Sequence, residues 1–128
     1  MPTYTKRNMM DLDDLAAGRA EGLQARFSRS AMGFEQFGVT HFRVGPGVRA
    51  PFGHRHAVQE EAYLVLSGSG RLRVEDEILE LAPLDLVRVV PEAVRGFEGG
   101  PEGMDLLAIG GTRPEDGDGE MVQDWWTD

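Results

Sequence analysis

Between residues 23 and 110, glycine and proline cut the chain into apolar runs too short for a globular helix. The runs 23–28, 34–37, 39–44, 71–74, 78–81, 86–90, 94–97 and 104–109 alternate polar with apolar residues or are continuously apolar. Both patterns are those of strands. With 17 glycines and 7 prolines serving as punctuation, the chain is expected to form an all-β sandwich or barrel. A short irregular N-terminal segment precedes it, in which one helical turn is expected near residues 11–17, capped by Asp11 or Asp13. The whole chain, 1–128, is read as a single domain with its core at about 23–110. Residues 111–128 are read as a flexible polar, glycine-rich loop followed by a tail carrying Trp125 and Trp126. Two tryptophans after such a loop predict that the tail packs on its own barrel or on a twin subunit.

Charge narrows the partners. The net charge is -9, and the thirteen cationic residues, all arginine except Lys6, form no basic stripe, which argues against nucleic acid. No apolar run approaches the ~20 residues needed to cross a bilayer, and the N-terminus lacks the apolar segment of a signal peptide, so a cytoplasmic protein is expected. There is no cysteine, which removes disulfides, thiolate metal sites and thiol nucleophiles.

The chemistry concentrates in Gly53–Gly68, GHRHAVQEEAYLVLSG. His54 and His56 are two apart, so on a strand both imidazoles leave the same face. Glu61 follows a short polar interval and opens the apolar run 62–66, and Ser67-Gly68-Ser69-Gly70 then reads as a turn between two strands. Two imidazoles and a carboxylate joined by a hairpin suit one face of a divalent transition metal: Fe, Mn, Ni or Zn. Glu60 is the neighbouring acid, but it faces away from Glu61 on the same strand. His41 is set aside as a lone strand histidine. The Ser67–Gly70 run has no helix behind it to bind phosphate, and Asp116-Gly117-Asp118-Gly119-Glu120 lacks the twelfth-position glutamate of a calcium loop.

These residues resemble the cupin superfamily. From His54 through His56, Glu61 and Gly68 the spacing is that of the first cupin motif, with Gly47 one residue further from His54 than usual. Residues 83–97 resemble the second motif through Asp85, the alternating strand and Pro91. Leu84 and Ala93 replace its two glycines, and Arg95 replaces its histidine. The resemblance covers about residues 39–110. It implies a small double-stranded β-helix, a jelly-roll barrel, that is commonly a homodimer, with His54, His56 and Glu61 on three of the four metal positions.

Arg95 at the fourth position leaves three arrangements open. The guanidinium can pair with Glu61 in place of a metal, clamp an anionic small molecule beside one, or point to solvent. Tyr63 shares the face of Glu61, and Phe97 that of Arg95, so these two and Arg95 are the candidate ligand-binding residues. Two functions follow. One is an enzyme with a divalent metal on His54, His56 and Glu61 acting on a small anionic metabolite. The other is a metal-free binding protein in which Arg95 replaces the fourth ligand. No catalytic residue and no reaction can be named from the sequence.

Overall fold

The structure is a computed structural model that describes residues 3–128. Eight strands form one curled antiparallel sheet: β1 (Leu23–Phe27), β2 (Gly38–Val44), β3 (Gly53–His56), β4 (Glu61–Val74), β5 (Glu77–Leu81), β6 (Leu86–Val89), β7 (Arg95–Gly110) and β8 (Gly119–Val122). Their order is β1-β2-β7-β3-β8, with β4 pairing β5, β6 and β7. The expected all-β barrel architecture is present. Its interior is a cluster that includes Val44, Tyr63, Val65, Leu72, Phe97, Met104 and Leu106. These residues alternate along their strands with outward neighbours, as a half-buried sheet requires.

The long antiparallel pair β4–β7 sets the shape. Glu61 pairs with Gly110, and Val74 pairs with Arg95. In a flat sheet, Arg95 would lie about 50 Å from Gly110, given 3.3 Å per residue. Yet Arg95 Nη2 is 3.3 Å from Glu61 Oε1. The curl of the sheet closes that distance and brings opposite ends of the two longest strands to one point.

Several expected boundaries move. Ser67–Gly70 is no turn: β4 runs through it, with register shifts against β7 between Val65 and Ser67 and between Gly68 and Gly70. At Gly68 the backbone takes φ 75°, and a Cβ there would come within 2.2 Å of the Gly103 carbonyl oxygen. A bulge and a turn need the same residue type, and here the glycines serve bulges. For the same reason the expected loop at 99–103 lies within β7.

The run 34–37 is not a strand. A short helix, α1 (Arg29–Met32), ends at Gly33, whose left-handed backbone lets its N–H bond Arg29 O and Ser30 O. Phe34 and Phe37 then stack on each other with centroids 4.7 Å apart instead of joining a sheet. In the N-terminal segment, helical structure is limited to a 3-10 turn at Met9–Asp11, capped by Asn8 rather than by an aspartate. The Asp14 carboxylate caps the following turn at Ala16 N and also accepts from Ala25 N, both at 2.9 Å, tying that turn to β1.

The end of the chain returns to the barrel. Gly119–Val122, within and just beyond the stretch read as a loop, is strand β8, paired with β3. The indole of Trp125 lies over Gly53 and Gly96, where an added Cβ would approach within 2.7 and 2.9 Å of the ring. The Trp126 ring faces the guanidinium of Arg49 at 4.7 Å, and Trp125 that of Arg73 at 4.2 Å. The tail therefore packs on its own barrel. Among the described residues, no helix is long and apolar enough to cross a membrane.

Candidate metal centre

Strand β3 supplies His54 and His56 on one face, with their rings perpendicular and 5.1 Å apart. Glu61 opens β4, and Arg95 opens β7 as the cross-strand partner of His54. Glu61 Oε1 is the common point: it lies 3.1 Å from His54 Nε2, 3.4 Å from His56 Nε2 and 3.3 Å from Arg95 Nη2. It also accepts the Tyr63 hydroxyl at 2.7 Å. The sheet curl thus brings together His54 and His56 from β3, Glu61 and Tyr63 from β4, and Arg95 from β7. The hairpin expected between the histidines and Glu61 does not form, because β3 pairs with β7 and β8 while β4 pairs with β5, β6 and β7. Phe97 sits one inward step along β7 from Arg95, within the core and packed at a tilt against Phe42, with ring centroids 5.0 Å apart. Glu60, the neighbouring acid, is exposed and paired with Arg88, as strand parity requires.

The electrostatics converge on keeping Glu61 ionised. Burial alone would raise its pKa, but the adjacent His54 and His56 imidazoles and the Tyr63 hydroxyl together outweigh it. The carboxyl is held far below its usual range. Burial and the Glu61 charge push the Tyr63 phenol well up, so Tyr63 stays a donor. For His56, burial opposes protonation, but the nearby Glu61 and Asp118 carboxylates prevail and raise its pKa.

Arg95 is fully buried. Its Nη1 donates to the Pro91 and Ala93 carbonyls at 3.0 and 2.7 Å, and its Nε donates to the Tyr63 oxygen at 3.2 Å. An attraction to Glu61 of about 5 kcal/mol, at an effective dielectric of 20, is comparable to the cost of burying the two charges. The three additional hydrogen bonds are therefore what fix the guanidinium in place. Of the three arrangements open for Arg95, pointing to solvent is excluded.

The donor set fits a metal. Ligands held about 2.1 Å from one ion at right angles stand about 3 Å apart, close to the two Nε2–Oε1 separations here. All three donor atoms lie within 4.8 Å of one another. His56 Nε2 is buried without a hydrogen-bond partner, while its Nδ1 is 2.9 Å from Asp118 Oδ1. A carboxylate behind a histidine whose free nitrogen faces the other donors is the outer-shell pattern of a metal ligand.

Asp118 was missed by sequence reasoning. It belongs to the acidic, glycine-rich stretch dismissed as a calcium loop, and only the β3–β8 pairing brings it to His56. Its carboxyl is held at about 2: burial would raise it, but the Gln59 and Val58 N–H groups and then His56 prevail. His41 stands apart, buried, with its pKa lowered chiefly by that burial.

Comparison with solved structures identifies the architecture. A cupin protein from Bacteroides fragilis superposes with a TM-score of 0.73 at 21% identity, covering 100% of this chain and 99% of the other. The polyketide cyclase RemF from Streptomyces resistomycificus gives 0.75 at 20% identity over 97% of this chain and 87% of its own. Pac13, a nucleoside dehydratase, gives 0.77 at 15% identity over 97% and 95%. No family model matches the sequence, and no curated protein matches it. Likeness at these identities shows the fold: a small cupin barrel.

Proposed function

We propose that this cupin barrel is a small-molecule enzyme whose divalent transition-metal centre is formed by His54, His56 and Glu61. The observation that carries this reading is the convergence of His54 Nε2, His56 Nε2 and Glu61 Oε1 within 4.8 Å. A metal there would supply Lewis-acid or oxygen-activating chemistry. The chain's own residues do the rest. Tyr63 and Arg95 hold the Glu61 carboxylate ionised and oriented, and Asp118 orients His56. The His54 side chain is the most open of the three, at 28% exposure against 11% for His56 and 13% for Glu61, so the small molecule would approach from its side. That the neighbours of this fold include a polyketide cyclase and a nucleoside dehydratase supports an enzyme.

One observation favours a second reading. The buried Arg95 already supplies a positive charge to Glu61, so the barrel can stand as a metal-free binding protein. Metal analysis of untagged protein, with thermal melts in Mn, Fe, Ni and Zn salts, separates the two. A bound transition metal, or a melting temperature raised by one of these ions, supports the enzyme. Neither effect supports the metal-free protein.

We also propose that the chain forms a homodimer. The support is apolar side chains left open near one sheet edge: Leu84 and Leu86 are 76% and 66% exposed, and Leu66 is 43% exposed. Sedimentation of wild type and Leu86→Arg tests it, with a dimer expected only in the wild type.

A further inference from the structure

The carboxylate of Asp118 has its two oxygens committed to different tasks. Oδ2 accepts the backbone N–H groups of Val58 at 2.6 Å and Gln59 at 2.9 Å, which hold the turn between β3 and β4. Oδ1 lies 2.9 Å from His56 Nδ1. The side chain is 5% exposed, so water does not compete for these contacts. Placement follows from the backbone: Gly117 takes φ 78°, and Gly119 is the cross-strand partner of His56.

We infer that Asp118 is a positioning residue that fixes the tautomer of His56, so that the C-terminal segment determines which ring nitrogen His56 presents to the barrel site. A carboxylate only accepts, so Nδ1 must carry the proton. In neutral His56 the lone pair then sits on Nε2, which is buried, partnerless and 3.4 Å from Glu61 Oε1. Without Asp118, the Glu61 carboxylate 3.4 Å from Nε2 would draw the proton to that nitrogen instead. The link to ligand strength, though not the tautomer itself, rests on the metal reading proposed above.

Asp118→Asn is the informative change because of the division of labour between the two oxygens. The two backbone donors require an oxygen at the Oδ2 position, so the amide NH2 must turn toward His56. Nδ1 then becomes the acceptor, and the proton moves to Nε2. A residue that merely stapled the turn would leave the ring unchanged, because Asn still accepts both backbone bonds.

Long-range 1H–15N NMR of the histidine rings at about pH 9, well above the usual imidazole pKa, reads the tautomer directly. Wild type is expected to show His56 protonated at Nδ1, and Asp118→Asn at Nε2. A wild-type proton on Nε2 overturns the inference without need of the variant. So does a folded variant with the wild-type tautomer. Zinc titration of the same samples should show about 10- to 100-fold weaker binding in Asp118→Asn. If wild type binds no zinc, the metal reading fails while the tautomer result stands. If both proteins bind zinc equally with the same tautomer, the inference fails and the metal reading stands.

Discussion

His54 and Arg95 are direct cross-strand partners on β3 and β7, and both reach Glu61 Oε1, one through Nε2 at 3.1 Å and the other through Nη2 at 3.3 Å. A cation that cannot be a ligand therefore lies against Glu61 at the position where the cupin resemblance implies a fourth ligand. Arg95→His should raise zinc affinity in a titration of stripped protein. In the absence of metal it should also lower stability by about 3–5 kcal/mol, because the guanidinium no longer balances Glu61 or bonds the Pro91 and Ala93 carbonyls. Zinc should recover part of that loss in a thermal melt. Unchanged affinity would show that Arg95 does not govern the site.

Tyr63 joins the two charged groups, donating to Glu61 at 2.7 Å and accepting from Arg95 Nε at 3.2 Å. Tyr63→Phe keeps the ring volume and removes both bonds in a fully buried place. Urea unfolding should show a loss of about 1–3 kcal/mol with no change in m-value. A loss near zero would mean that Arg95 and Glu61 are satisfied without the hydroxyl.

Much of this was legible in the sequence because the relevant signals are local. A spacing of two puts His54 and His56 on one face, and strand parity selects Glu61 over Glu60. Arg95 was identified as the odd residue of its motif, but its burial was not, because that depends on the curl joining the ends of β4 and β7. Asp118 was invisible for a similar reason: its partner is sixty-two residues away across a strand pairing that no local pattern announces. The turn expected at Ser67–Gly70 failed because glycine marks a bulge as readily as a reversal. The strand expected at 34–37 failed because aromatic residues beside a helix-ending glycine can stack on one another instead of pairing with a sheet.

Gly53 and Gly96 adjoin His54 and Arg95 and lie beneath the Trp125 indole. Gly53→Ala would place a Cβ within 2.7 Å of that ring, so the tail should lift. Tryptophan emission should shift to longer wavelength and thermal stability should fall. Unchanged emission would mean that the tail is not seated over β3.

Glu98 gives the pH dependence. Burial would raise its carboxyl, but hydrogen bonds from Arg49 and Arg71 prevail and hold it below the usual 4.5. A carboxyl depressed in the folded state stabilises fully above its unfolded value, and that contribution fades as pH falls through the folded one. The stability difference between wild type and Glu98→Gln should therefore be constant above about pH 4.5 and shrink below it. A difference that grows on acidification would give the shift the opposite sign.

The central claim is that three side chains from the successive strands β3 and β4 act as a single ligand set. Calorimetric titration of zinc into metal-stripped, untagged wild type and His54→Ala tests it most directly. The account predicts one equivalent bound by the wild type, with binding lost or greatly weakened in the variant. No heat of binding in the wild type, or equal binding in both proteins, would contradict it.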